Sequence, residues 1–331
     1  MGPVLLRRYK MLITFEETAA LINEGKRLHI AGDHNLLDRL PKGEWIGGTT
    51  PYFISEEGGI FTKDRLFVNE IDFALNIKTA VYGKYNIFQI VEECYDNGLT
   101  LVIMPYSSEV AKRYAREAPE VEELLMHPTV GWISGMDLDE GGEAKVYNGV
   151  TGESYTDRAV VMYMELPAGK TAMINMINIF SDDKTDPVIR FHDNTLSVRA
   201  CTVNGQDENF AEYIKRKGID TRMPLVADYN GAYINTSIKT MEDGTVRLYA
   251  PVFKNIEYRF ARYLDDYASE FRHKISEAGA KDPFFSCNCI LNYLYGDLNG
   301  QKLPPYTGPV TFGEVAYQLL NQTLVYCEIL G

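Results

Sequence analysis

Residues 85–104 read YNIFQIVEECYDNGLTLVIM, and this stretch decides the fold class. Ile87, Ile90, Val91 and Cys94 recur at spacings of three and four, which predicts a helical stripe over 85–97, and Gly98 supplies the stop. The apolar run 99–104 then reads as a buried strand, followed by Ser107 or Ser108 as the cap of a further helix that carries Val110, Ala111 and Tyr114. A strand set between helices predicts a mixed α/β fold.

The same pattern extends outward. Thr14 and Glu17 have the spacing of a capping box, so a helix is expected over 15–24, stopped by Gly25 and followed by a strand at 28–31. A long strand is expected over 66–77. The runs 158–166 and 171–180, separated by Pro167, Ala168, Gly169 and Lys170, read as antiparallel neighbours joined by a hairpin. The polar segment 181–187 suits a linker, which sets the expected domains at 1–185 and 186–331. Beyond it come a strand over 195–203, a helix over 208–217 ending at Gly218, and a meander over 225–252 with its turn at Glu242, Asp243 and Gly244. The longest helical pattern of the chain covers 257–280. Two packed α/β halves with largely antiparallel or mixed sheets are therefore expected. Trp45, Ile46, Gly47 and Gly48 are echoed by Trp132, Ile133, Ser134 and Gly135, a single internal similarity too widely spaced for a solenoid.

Composition bounds the function. The 331 residues carry a net charge of −13, which disfavours nucleic acid and anionic membranes as partners. No apolar run reaches the roughly 18 to 20 residues of a membrane span, and 1–10 places Arg7 and Arg8 after its apolar residues, the wrong order for a secretion signal. Five sparse cysteines argue against a disulfide framework, so a reducing, cytoplasmic setting is expected.

Candidate chemistry is scattered. Gly47, Gly48 and Thr49 could form a backbone nest for an anion, or simply a tight strand exit. Cys287 or Cys289, at a strand end before a helix, could be an activated thiol or a buried structural one; with no second cysteine pair, a metal site is not expected. His34 and His192 are the candidate haem ligands, although no cofactor is expected. Glu314 and Asn321, seven residues apart, would share one face of a helix and offer a carboxylate and an amide to a polar ligand, or else brace a turn. Tyr306, in a proline-rich loop, is a candidate lid, and Asn288 lies between the cysteines.

The second half resembles the C-terminal part of FIST proteins, sensory domains named for F-box and intracellular signal transduction. The likeness rests on Met223, Pro224, Leu225 and Val226, on Asp243, Gly244 and Thr245, on Phe285, Ser286 and Cys287, and on Gly313 and Glu314 followed by Asn321, Gln322 and Thr323. The first half is similar to the N-terminal FIST part through Ile46, Gly47, Gly48 and Thr49 and through Trp132, Ile133, Ser134 and Gly135. This resemblance implies an intracellular sensor of a small ligand; some relatives that respond to nitric oxide bind haem. The expectation is a non-catalytic sensor that holds a small polar metabolite and signals through a separate protein. The alternatives are a cysteine-dependent amide or thioester hydrolase and a protein-binding adaptor.

Overall fold

The computed structural model describes residues 10–229 and 232–331, so the reading of the first nine residues lies outside what it describes. Strand outweighs helix by 42% to 20%, and the fold is mixed α/β as expected. Local signals explain most helices. The Thr14 side chain accepts from the Glu17 amide while Glu17 reaches back, opening the helix Phe15–Asn23. Asn209 caps Phe210–Lys217, which ends on Gly218 at φ 62°.

Three six-stranded sheets form a framework. An outer sheet runs Lys10–Ile13, Leu66–Glu70, Leu28–Gly32, Trp45–Thr49, Val146–Asn148, Glu153–Tyr155. A central sheet runs Gln318–Leu320, Glu314–Ala316, Thr129–Ser134, Gly98–Pro105, Ala159–Glu165, Ile77–Tyr82. A closing sheet runs Thr171–Ile177, Leu324–Leu330, Phe285–Cys289, Gly308–Thr311, Tyr52–Ser55, Gly58–Phe61. Each holds one parallel pair, and in each the crossover carries a helix: Leu28–Gly32 with Trp45–Thr49, Gly98–Pro105 with Thr129–Ser134, and Phe285–Cys289 with Gly308–Thr311. Trp45 and Trp132 each lie on the second strand of such a unit, but Trp45 opens its strand while Trp132 is the fourth residue of its own.

Residues 189–260 build something separate: an antiparallel six-stranded sheet, Gln206–Asn209 to Ala232–Thr236, and a three-stranded one made of Thr195–Val198, Thr245–Val252 and Ile238–Glu242. These strands pair only with one another among the described residues. The expected division at 185 and 186 is therefore corrected. Thr171–Ile177 pairs along its length with Leu324–Leu330, and Glu314–Ala316 pairs with Thr129–Ser134, so the last part of the chain completes sheets begun by the first. The 189–260 unit is an insertion in that framework.

Other expectations shift for identifiable reasons. The strands Ala159–Glu165 and Thr171–Ile177 are not a hairpin; the first pairs within the central sheet and the second within the closing sheet. The expected strand over 66–77 breaks after Glu70, and its continuation, Ile77–Tyr82, joins another sheet. The segment over 85–97 forms a 3-10 helix, Ile87–Glu93, in which the buried Ile87 and Ile90 stand three apart and so eclipse. The pattern over 257–280 contains the strand Tyr258–Phe260 before the helix Tyr267–Ala278, which Asp266 caps.

The outer and central sheets pack against one another, and Gly48 lies at a tight contact between them. A Cβ there would lie 2.8 Å from Ile103 Cγ2 and 2.9 Å from Trp132 Cη2. Beside it, the buried Trp132 Nε1–H donates to His29 Nε2 at 2.9 Å, and burial drives the His29 pKa down to about 3, so the imidazole is a neutral acceptor. Gly48→Ala is expected to destabilise the fold by about 1 to 3 kcal/mol through overpacking, read as a lower urea midpoint; an unchanged midpoint would contradict this packing.

Candidate functional site

Sequence-predicted residues gather in one place, but it is sealed. Cys287 and Cys289 lie on the strand Phe285–Cys289, each about 1% exposed, and Glu314 is fully buried. The carboxyl oxygens of Glu314 accept from Thr311 Oγ1 at 3.1 Å, from Thr323 Oγ1 at 2.8 Å and from the Thr323 amide at 3.3 Å. Desolvation outweighs these bonds and raises its pKa to about 8. The same burial, reinforced by the nearby Glu314, pushes both thiols well above their ordinary value.

A chain of side-chain amides and hydroxyls continues from there into the inserted unit. Asn292 Nδ2 donates to Asn288 Oδ1 at 2.9 Å, and the Tyr267 hydroxyl donates to Asn292 Oδ1 at 2.6 Å. Gln322 Nε2 donates to that hydroxyl at 3.4 Å and to the Arg222 carbonyl at 3.0 Å. The Ser237 hydroxyl lies against both Gln322 Oε1 and Asn321 Oδ1, and the Ser237 amide donates to Asn321 Oδ1 at 2.9 Å. Asn321 Nδ2 closes the link on the Asn235 carbonyl at 3.1 Å. Asn321, Gln322 and Thr323 are each no more than 2% exposed, so all three face the interior.

Several expected roles are corrected by this geometry. Glu314 and Asn321 do not share a helix: Glu314–Ala316 and Gln318–Leu320 are strands of a tight hairpin turned at Tyr317, φ 61°. Tyr306 is no lid; it is 1% exposed, its ring lies 5.0 Å from that of Tyr326, and with Cys287 and Asn288 it borders a void of only about 10 Å³. That is at the threshold for one water and too small for a metabolite. Gly47 and Gly48 are not a nest but interior strand residues, and Thr49 spends its hydroxyl on the Gly135 carbonyl at 2.7 Å. A Cβ on Gly47 would meet the Ile30 carbonyl oxygen at 2.6 Å, which accounts for that glycine by close strand packing. His34 and His192 are exposed surface residues and border none of the clefts described below, so neither has the enclosing apolar pocket that haem requires. Among the described residues no three His, Cys, Asp or Glu side chains gather to hold a metal ion.

Space for a ligand lies on the far side of the Glu314 hairpin, where framework and insertion meet. A cleft of about 310 Å³ is bounded by the turn Tyr106–Ser107, the helix Glu109–Glu117, Phe312 and Leu319 on the framework, and by 194–197, Lys239 and 247–249 on the insertion. Ser107, at φ 61°, turns the chain from the central strand Gly98–Pro105 into that helix. Ser108 then caps it, accepting from the Ala111 amide at 3.2 Å and donating to the Pro105 carbonyl at 2.6 Å. A larger cleft, about 870 Å³, lies against the closing sheet and mixes both signs of charge, with Lys170, Lys281 and Lys302 facing Glu56, Glu70 and Asp72.

Of the alternatives Ser107 and Ser108, the structure makes Ser108 the helix cap, and sequence reasoning missed the cleft beside it. Its walls come from six separated segments, and the one local trace is Lys112 and Arg116, one helical turn apart. The chain belongs to a family of unknown function, DUF6976, whose profile matches residues 13–330 and so spans framework and insertion together. No curated protein matches it.

The raised Glu314 pKa has a definite sign in stability. Between about 4.5 and 8 the folded chain keeps a proton that the unfolded chain has released, so this group's contribution is full at low pH and is lost as pH rises through about 8. Glu314→Gln cannot titrate and is expected to flatten that part of the stability profile, measured by urea unfolding across this range. Parallel profiles for the two proteins would show that Glu314 is ionised in the fold.

Proposed function

We propose that this protein binds a small polar molecule, without transforming it, in the cleft between the framework and the inserted sheets. The observation that carries this reading is that both parts of the chain contribute walls to one open, ligand-sized space. A molecule seated there touches the helix Glu109–Glu117 on one side and the strand Thr245–Val252 on the other, so binding favours one relative placement of the two. Such coupling suits a sensor that passes its state to a separate signalling protein, as the FIST resemblance implies. Five free cysteines fit a reducing, cytoplasmic setting. No helix among the described residues is long and apolar enough to cross a membrane.

The hydrolase reading is disfavoured by burial. A nucleophilic thiol needs access and a lowered pKa, whereas Cys287 and Cys289 are enclosed and pushed up. The buried imidazole, His29, is bonded to Trp132 rather than to either sulfur. In the native protein both thiols should react with a disulfide reagent only as fast as the fold opens, and at once in denaturant. Rapid native labelling at either position would restore the enzyme reading.

The binding reading is tested by thermal shift with amino acids, organic acids and nucleotides at about 1 mM, since a ligand of the folded state alone raises the melting temperature. At least one hit is expected, and Leu196→Trp, which fills the cleft from its rim, should abolish it. A panel with no hit, or a hit indifferent to that substitution, would overturn the proposal.

A further inference from the structure

The walls of this cleft are electrostatically unlike the rest of the molecule. The chain has 46 acidic residues against 33 basic ones, yet the cleft is lined by four basic side chains and by no carboxylate. Lys112 and Arg116 stand on the helix Glu109–Glu117, while Lys239 and Arg247 face them from the strands Ile238–Glu242 and Thr245–Val252. Lys112 is bonded to Glu109 at 2.7 Å. Arg116, Lys239 and Arg247 have no carboxylate within 4.0 Å among the described residues. Lys239 instead sets its ammonium 4.8 Å from the Tyr106 ring centroid.

Four like charges around one hollow repel one another, and among the described residues three of them have no close ion pair to offset that repulsion. A bound anion would. The inner surface adds a second preference: Ile133, Leu248, Phe312 and Leu319 are apolar, and Tyr106 meets Phe312 edge-on at 5.1 Å between centroids. Tyr249, also on this wall, keeps its phenolic proton because burial raises its pKa, so it can donate but not repel.

We infer that the ligand of the cleft is an organic anion of about mononucleotide size, its phosphate or carboxylate group held between Arg116 and Arg247 and its flat or apolar body resting on Tyr106 and Phe312. This deepens the binding proposal and rests on it. Arginine suits the task because its planar fork can give two parallel hydrogen bonds to either oxyanion.

The experiment is calorimetric titration and thermal shift of the full chain with AMP, citrate, pyrophosphate and the uncharged adenosine, glucose and glutamine. An anion is expected to bind, weakening several-fold as KCl rises from about 50 to about 300 mM. The double substitution Arg116→Glu with Arg247→Glu should weaken it at least about tenfold, whereas Lys215→Glu with Arg216→Glu, on the inserted unit's outer helix, should not. Arg116→Gln with Arg247→Gln should give a smaller loss, guarding against misfolding of the charge reversal. Comparing AMP and pyrophosphate with citrate separates phosphate from carboxylate recognition. If the uncharged compounds bind the cleft as well as the anions do, or if the double variants bind unchanged, the charge inference fails while the binding proposal stands. If nothing in either set binds, both fail.

Discussion

The strand Leu324–Leu330 lies between Thr171–Ile177 and Phe285–Cys289, hydrogen-bonded to both, and the rest of the architecture depends on that return. Two chain segments separated by the whole insertion are locked edge to edge, so residues 189–260 must leave the framework and come back at nearly the same place. The insertion then has its own core around Phe191, Phe210, Leu225 and Val246, and it meets the framework along a separate boundary. That boundary is partly apolar, with Met223 and Val226 packed into the framework's core, and partly polar. In the polar part Asn235 and Ser237 of the insertion meet Asn321 and Gln322 of the returning chain with every named amide and hydroxyl engaged, and these directional bonds specify one docking geometry.

The buried seam and the open cleft are two consequences of the same hairpin. Glu314, on its inner side, is neutralised by burial and spends its oxygens on Thr311 and Thr323. Phe312 and Leu319, on its outer side, form the cleft floor. A shift of the insertion that changed the cleft would strain the Asn321 contacts, which is how occupancy of a surface hollow could alter the set of the whole inserted unit.

Much of the local structure was legible because it is locally caused. The Thr14 and Glu17 box, the Ser108 cap and the Gly218 stop each act within four residues, and each appears where the pattern placed it. Sheet membership was not legible, since the apolar runs holding Val160 and Ile174 look alike in sequence yet belong to different sheets whose partners lie far along the chain. The candidate site divides in the same way. Residue type drew attention to Cys287, Asn288, Glu314 and Asn321, and they do converge, but residue type could not say that they would be walled off from water. Gly48 was noticeable as a glycine, while its cause, the approach of Ile103 and Trp132 from another sheet, is tertiary. The cleft escaped notice because its basic side chains are spread from Lys112 to Arg247 and only the fold brings them to one rim.

The most direct measurement of this account is hydrogen–deuterium exchange of the full chain with and without a stabilising compound. Protection should rise at 106–117, 194–197 and 238–252, the walls of the shared cleft, and spread to the seam at 321–323. Protection centred instead on the larger cleft at 281–307, with the insertion unchanged, would contradict it.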